Sequence, residues 1–179
     1  MSEPAPVLDR EGIEEAFRRL GDRLAKRGVV ADIYVFGGAA MALAYDSRRA
    51  TRDVDALFKP HGIVLEEAQA VGAELGLPSW WLNEQASSYV APSGDPSASR
   101  VFDHPGLRVF AASPEHLLAM KALAARPRDA QDIRHLVEVL NLHTVPAVFA
   151  LVREIFPEEE PPARLRLLLE DIFGESEDE

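Results

Sequence analysis

The sequence contains no cysteine among its 179 residues. Disulfide bonds, thiolate metal sites and cysteine nucleophiles are therefore excluded. Long hydrophobic runs are also missing, since no apolar segment approaches the roughly 20 residues that a membrane-spanning helix needs. The first residues lack the pattern of a signal peptide. We therefore expect a cytoplasmic protein with no membrane segment.

Several catalytic motifs are absent as well. None of the five histidines has the spacing of metal ligands. The sequence has neither the elbow motif of a serine nucleophile nor the lysine motif of a P-loop. These absences exclude the corresponding chemistries.

Positive charge is scarce, because 19 lysines and arginines stand against 30 acidic residues, for a net charge of −11. The acidic excess is concentrated in residues 158–179, where nine acids accompany two arginines. The simplest role of this tail is to keep the protein soluble. An acidic tail can coexist with a basic site, so a polyanionic partner is not excluded. Arginines cluster at two places outside the tail: Arg48, Arg49 and Arg52, and Arg126 and Arg128.

The spacing of apolar residues predicts alternating helices and strands. The first predicted helix follows an Asp9 N-cap and covers residues 10–28. Further helices are predicted over residues 39–45, 63–76, 114–125, 128–141 and 144–156. A last helix is predicted after a linker at 157–162. Strands are predicted over 33–36, 53–58, 79–84, 101–102 and 107–112, and a mobile loop over 87–99. This order indicates an α/β or α+β fold with a mixed central sheet flanked by helices. We expect a core over 1–112, a helical region packed on it over 113–174, and an acidic tail over 175–179.

The segment from Phe36 to Phe58 carries the main functional signal. A strand that ends in Gly37-Gly38 and leads into a helix leaves backbone N–H groups available to bind phosphate. Asp53 and Asp55 are two residues apart on the next predicted strand, so both carboxylates share one face. Two adjacent like charges favour a cation between them, and carboxylate oxygens suit Mg²⁺ that arrives with a substrate's phosphates. Alone, a Gly-Gly pair is most often a turn and an Asp-x-Asp pair a solvated edge.

A second signal lies in the C-terminal helices. Lys121 falls on the apolar stripe of its predicted helix, where an ammonium group needs an anionic partner unless it extends outward to solvent. That partner is either a carboxylate or a substrate phosphate. Asp129 and Asp132 begin the next helix and lean toward its apolar side, although first-turn acids also simply complement a helix dipole. Arg126 and Arg128 are candidate phosphate contacts or solvated surface residues.

The third carboxylate that two-metal chemistry would use is not evident. Glu84, at the end of the strand predicted after Asp55, is the first choice, and Asp103 is the second. Asp103 is better explained as a residue of a hairpin turn. Trp80 and Trp81 are expected in the core, although a nucleobase could stack on one of them.

These motifs resemble those of the DNA polymerase beta-type nucleotidyltransferase superfamily, whose core motif is Gly-Gly or Gly-Ser followed by Asp-x-Asp. Within it, the segment FGGAAMALAYDSRRATRDVDALF is similar to the AbiEii-like toxins of type IV toxin–antitoxin systems and to related bacterial nucleotidyltransferases. The segment LRVFAASPEHLLAMKALAARPRDAQDIRHL resembles the second conserved block of those proteins. The resemblance runs from about Tyr34 to Leu140, with fourteen residues between Gly38 and Asp53.

The resemblance implies a magnesium-dependent transfer of a nucleoside monophosphate from an NTP to an acceptor hydroxyl. It implies that two Mg²⁺ ions bind at Asp53 and Asp55, with Glu84 as a candidate further ligand, and that Lys121 and Asp129 complete the catalytic site. The candidate nucleotide-binding residues are Gly37, Gly38, Arg49, Thr51 and Arg128. The acceptor in such toxins can be the tRNA 3′ end, and a cognate antitoxin protein is an expected partner. Two alternatives stay open: a small-molecule nucleotidyltransferase of the aminoglycoside or lincosamide type, and an inactive or antitoxin-like binding module.

Overall fold

The computed structural model describes residues 4, 6–46, 49–87 and 90–175. Arg48 and the last four residues of the acidic tail, which the sequence analysis considered, lie outside this described set. The chain divides into two compact units. Unit 1 comprises Met1–Ser88 and Ser97–Ala112, and unit 2 comprises Tyr89–Pro96 and Ser113–Glu179. The described residues 90–96 therefore cluster with the C-terminal helices, although they fall within the core predicted over 1–112.

Unit 1 is built on a mixed five-stranded sheet with the order β3-β2-β1-β5-β4. The strands are β1 (Ala31–Phe36), β2 (Val54–Lys59), β3 (Leu82–Asn83), β4 (Ser99–His104) and β5 (Leu107–Ala111). β1 pairs with β5, and β2 with β3, in parallel. β1 and β2 are antiparallel, as are β4 and β5. This sheet and its helices confirm the predicted α/β class.

Of the three α-helices described in unit 1, α1 begins at the side-chain cap that the sequence predicts, and the other two begin two residues earlier than predicted. They are α1 (Arg10–Lys26), the short α2 (Gly37–Ala40) continued by a π-helical turn (Met41–Tyr45), and α3 (His61–Leu75). The Asp9 side chain accepts a hydrogen bond from the Gly12 N–H at 2.8 Å, which confirms the predicted N-cap of α1. The second helix begins at Gly37 rather than at residue 39, so the glycine pair forms its first turn.

One face of the sheet supplies the core of unit 1. Along β1 and β2, every second side chain is fully buried, including Ile33, Val35, Val54 and Ala56. α1 packs against β5 and α3, and contributes the buried Phe17. The alternation leaves the residues between the core positions on the opposite face of the sheet.

The third predicted strand is mostly wrong. Only Leu82–Asn83 pair as β3, whereas residues 79–84 were predicted. The chain turns just before β3, where the Trp81 N–H bonds the Pro78 carbonyl at 3.0 Å. The core prediction holds for Trp81, whose buried indole N–H donates to the Ala68 carbonyl at 2.7 Å. It is wrong for Trp80, which is 47% exposed.

In its described part, unit 2 has four α-helices and no strand. They are α4 (Pro114–Ala124), α5 (Ala130–Val139), α6 (Val145–Ile155) and α7 (Arg164–Glu175), with a 3₁₀ turn at Pro127–Asp129 before α5. α4 packs against α5 and α6. Ser113 and Thr144 cap α4 and α6 through their hydroxyl groups. No helix in the described ranges is both long and apolar enough to cross a membrane.

The predicted loop over residues 87–99 falls partly outside the described residues, at positions 88 and 89. Within its described part, the Asp95 side chain is only 3% exposed. Its carboxylate accepts a hydrogen bond from the Ser113 N–H at 2.8 Å and lies 3.5 Å from Nδ1 of His116. This buried anchor at the start of α4 explains why residues 89–96 group with unit 2.

Candidate active site

Asp53 and Asp55 lie at the start of β2. Asp53 immediately precedes the strand, and Asp55 is its second residue. Val54 and Ala56 are fully buried, while both aspartates are partly exposed. Because successive strand residues point to opposite faces, the Asp55 carboxylate lies on the face away from the core. The strand begins one residue later than predicted, so alternation within β2 does not place Asp53.

Gly37 begins α2 beside the Asp55 side chain. Phe36, the residue before it, pairs with Asp55 in the antiparallel β1–β2 ladder. Gly37 has a left-handed φ of +63°, and a Cβ atom there would lie 3.0 Å from Oδ2 of Asp55. The glycine therefore serves two purposes, since it permits the backbone angle and lets the turn approach the carboxylate.

Gly38 faces the other flank of the same turn. A Cβ atom at Gly38 would lie 3.0 Å from Oγ1 of Thr51 and 3.4 Å from Nη2 of Arg49. Thr51 is held by two backbone hydrogen bonds with Leu8, of 2.7 and 2.9 Å, and its hydroxyl donates to the Asp53 carbonyl at 3.0 Å. The glycine turn thus has a carboxylate on one side, and a hydroxyl and a guanidinium group on the other.

This arrangement suits a metal-bound phosphate. The N–H groups in the first turn of a helix have no partner within the helix and can bind phosphate oxygens. Mg²⁺ is usually held by one or two protein carboxylates, with the other ligands supplied by water and substrate phosphates. Among the described residues, no group of three or more His, Cys, Asp or Glu side chains forms a complete metal site. Asp53 and Asp55 are the two carboxylates at this end of β2 that could hold a divalent ion.

Glu84, the first choice for a third carboxylate, makes its contacts elsewhere. Its Oε1 accepts a hydrogen bond from the Phe58 N–H at 3.3 Å, and its Oε2 lies 2.7 Å from Nε2 of His61. The structure thus directs Glu84 to the far end of β2 and the start of α3, and does not join it to the two aspartates. Asp103, the second choice, is in β4, and two strands separate β4 from β2.

The residue beside the aspartates that sequence reasoning missed is Asn83. It is 7% exposed, and it pairs with Asp55 in the parallel β2–β3 ladder. Its Nδ2 donates to Oδ2 of Asp53 at 3.0 Å. A two-residue strand leaves no periodicity in the sequence, so no local pattern indicates that Asn83 rather than Glu84 faces the site.

The predicted second block belongs to unit 2, where it forms a buried ion cluster. Lys121 is 6% exposed, and its Nζ lies 3.2 Å from Oδ1 of Asp129 and 2.9 Å from Oδ2 of Asp132. Nε of Arg126 donates to the other oxygen of Asp129 at 2.9 Å. Burial raises the pKa of the Asp129 carboxyl, but Lys121 and Arg126 more than offset this effect, so its pKa lies below the usual value.

The cluster answers the question that the sequence left open for Lys121. Its anionic partners are two carboxylates of its own chain, and one ammonium group bridges both. Arg126 and Arg128 are exposed at the 3₁₀ turn. The candidate residues Gly37, Gly38, Arg49, Thr51, Asp53 and Asp55 come together within unit 1, whereas Lys121, Arg128 and Asp129 belong to unit 2.

Comparison with known proteins gives a single line of support. No curated protein matches the chain significantly, and neither does any solved structure. A family model described as "Nucleotidyltransferase of unknown function (DUF6036)" matches residues 13–169, which include the glycine turn, both aspartates and the cluster around Lys121. Since this match covers most of the sequence, the chain belongs to that nucleotidyltransferase family.

Proposed function

We propose that the chain is a magnesium-dependent nucleotidyltransferase that moves a nucleoside monophosphate from an NTP to an acceptor hydroxyl group. One observation carries the proposal: the Gly37-Gly38 turn lies between the Asp55 carboxylate and the Arg49–Thr51 segment. This turn offers a phosphate-binding surface with metal ligands on one side and a cation on the other. The family membership supports the same reaction class.

In this proposal, each residue has a definite task. The backbone of Gly37 and Gly38 binds the triphosphate, and Arg49 and Thr51 contact it from the opposite flank. Asp53 and Asp55 would hold two Mg²⁺ ions. When bound, such ions stabilise the attacking oxygen and the leaving pyrophosphate. A bond forms between the acceptor oxygen and the α-phosphorus, the bond from that phosphorus to the β-phosphate oxygen breaks, and the hydroxyl proton passes to solvent.

Lys121 and Asp129 are not part of the proposed catalytic site. The family resemblance assigns them to the catalytic site, but each already has a charged partner within unit 2. We therefore assign them to the stability of unit 2, and the effect of replacing Lys121 distinguishes the two roles. Arg128 stays a candidate phosphate contact because its side chain is exposed.

For the acceptor, we propose the 3′-terminal hydroxyl of tRNA, as in the AbiEii-like toxins that the sequence resembles. Arg49 beside the glycine turn and the exposed Arg52 favour a polyanionic substrate. A cognate antitoxin protein would then control the activity. The net charge of −11 favours the competing possibility, a small-molecule acceptor of the aminoglycoside or lincosamide type.

A transfer assay tests the function and the acceptor together. The full chain is incubated with Mg²⁺, with each of the four α-labelled NTPs in turn, and with bulk tRNA, aminoglycosides, lincosamides or no acceptor. We expect label on tRNA from one NTP, and none with the Asp53→Ala/Asp55→Ala variant. Asp103→Ala is the matched control, because it removes an exposed aspartate from the far edge of the sheet.

The outcomes separate the alternatives. Label on a small molecule instead of tRNA would move the acceptor assignment to the resistance-enzyme class. Transfer that persists in the double variant would contradict the assignment of Asp53 and Asp55. Absence of both transfer and NTP binding would favour an inactive or antitoxin-like binding module.

A further inference from the structure

The Asn83 side chain makes three hydrogen bonds in a buried position. Its Nδ2 donates to Oδ2 of Asp53 at 3.0 Å and to the Trp80 carbonyl at 3.1 Å, and its Oδ1 accepts from the Gln85 N–H at 3.1 Å. Both amide protons and the amide oxygen are therefore used. The residue itself is only 7% exposed.

These partners fix the orientation of the amide. If the group were flipped, Oδ1 would face a carboxylate oxygen and a carbonyl oxygen, and the NH₂ group would face the Gln85 N–H. All three contacts would become repulsive, so only the observed orientation is compatible with its surroundings. The group that faces the Asp53 carboxylate is therefore always the Asn83 NH₂ donor and never the amide oxygen.

We propose that Asn83 is a positioning residue, which holds the Asp53 carboxylate in the orientation that binds the metal. This inference rests on the proposed function. Asp53 lies just outside β2, where its own strand does not fix its side chain, and Asn83 reaches it from the next strand. The amide engages one oxygen of Asp53 by a charge-assisted hydrogen bond and sets the direction of the carboxylate. Partners that hydrogen-bond to metal ligands in this way orient them and tune their affinity.

The first test measures Mn²⁺ binding by electron paramagnetic resonance, with MnCl₂ as the probe, first alone and then with an equimolar mixture of the four NTPs. We expect Asn83→Ala to weaken Mn²⁺ binding by about 10–100-fold, which is the range for outer partners of metal ligands. Its transfer rate should fall similarly and recover partly when Mg²⁺ is raised. Gln85→Ala is the matched control, because its exposed side chain lies two residues after Asn83 and its backbone bond to Asn83 stays intact. It should bind Mn²⁺ like the wild type.

A double-mutant cycle with Asp53→Ala identifies the route of the effect. If Asn83 acts through Asp53, then Asn83→Ala should not weaken Mn²⁺ binding further in the Asp53→Ala background. An equal loss in both backgrounds would overturn the proposal, as would wild-type Mn²⁺ binding by Asn83→Ala. If the wild type binds no Mn²⁺ either alone or with the four NTPs present, the proposed metal-dependent function fails together with this inference, and that result differs from both of the others.

A second variant keeps the test decisive if Asn83→Ala does not fold. Asn83→Asp keeps the size of the side chain and an acceptor for the Gln85 N–H, but places a carboxylate against Asp53. We expect a melting temperature below that of the wild type without metal, and a larger rise on addition of Mn²⁺ because the ion relieves the repulsion. A melting temperature and a Mn²⁺ response identical to those of the wild type would overturn the proposal.

Discussion

Unit 1 and unit 2 each contain two aspartates close together, in opposite environments. Asp53 and Asp55 are partly exposed and lie beside a glycine turn at the start of a strand. Asp129 and Asp132 are buried and surround the ammonium group of Lys121. The first pair is partly exposed to solvent, whereas the second is buried around a cation of its own chain. Residue type alone therefore does not distinguish the two pairs, but burial does.

This difference predicts which property each pair controls. Replacing a member of the exposed pair should remove function and leave the fold intact. Replacing the cation of the buried pair should destabilise unit 2, because uncompensated buried charges are costly. The following variants test the contrast, beginning with the largest expected effect.

Asp55→Ala should have the largest effect. Under the proposed function, Asp55 is a metal ligand, and its loss removes several kcal/mol of transition-state stabilisation, so the transfer rate should fall by roughly 1000-fold or more. Thermal melting should stay close to that of the wild type, since the side chain faces away from the core. Single-turnover transfer and a melting curve on the same preparation provide the measurement. A variant that loses its fold along with its activity would contradict the contrast.

Lys121→Met should act on stability instead. It keeps the apolar stem but leaves Asp129 and Asp132 without the ammonium between them, which we expect to cost about 3–5 kcal/mol of unfolding free energy. Urea denaturation measures this loss. Combining it with Asp129→Asn and Asp132→Asn should restore part of the stability, because the buried charges are removed together. A Lys121→Met protein that melts like the wild type but transfers no nucleotide would instead place Lys121 in the catalytic site.

Gly37→Ala tests the contact between the glycine turn and Asp55. The left-handed φ costs about 1–2 kcal/mol for a residue with a Cβ atom, and the new methyl group would also press on the Asp55 carboxylate. Gly28→Ala is the matched control, because Gly28 has a similar φ of +71° and nothing within 4 Å of the added Cβ. Both variants should lose comparable stability, but only Gly37→Ala should lose transfer activity, by roughly 10-fold, equal to about 1.4 kcal/mol. Equal activity in the two variants would show that the contact has no role in the reaction.

The sequence predicted those parts of the fold that local patterns specify. The Asp9 cap and apolar periodicity of α1, the short run of β1 and the alternation around Asp55 each depend on neighbouring residues alone. The apolar stripe around Lys121 predicts either an anionic partner or a side chain that extends outward to solvent, since a buried ammonium group is costly whatever the fold.

The remaining features depend on tertiary structure. Asp129 and Asp132 reach Lys121 because a 3₁₀ turn returns the chain between α4 and α5, and spacing does not specify that turn. Asn83 reaches Asp53 because β3 pairs with β2. With two residues, β3 is too short to leave a pattern in the sequence. For the same reason Glu84, a reasonable third ligand by sequence, is directed to His61.

The smallest expected effect is on the unfolding free energy at acid pH. It compares the buried cluster around Lys121 with a second ion network, around Glu67. Glu67, on α3, is 8% exposed, and its carboxylate accepts hydrogen bonds from Arg23 at 2.6 Å and Arg27 at 2.9 Å. Burial raises the pKa of Glu67, but the two arginines more than offset it, so its pKa, like that of Asp129, lies below the usual value.

Because the folded-state pKa is lowered, each carboxylate stabilises the protein fully at a pH above its ordinary pKa, which is 4.5 for Glu67 and 3.8 for Asp129. This contribution is lost as the pH falls through the folded-state pKa. Glu67→Gln and Asp129→Asn should therefore each lower the unfolding free energy at pH 7 and flatten its decline below pH 4.5, as measured by urea denaturation from pH 7 to pH 3. Asp129→Asn should have the larger effect at pH 7, because Lys121 is buried whereas Arg23 and Arg27 reach solvent. A decline in acid that is as steep in both variants as in the wild type would show that neither carboxylate contributes to it.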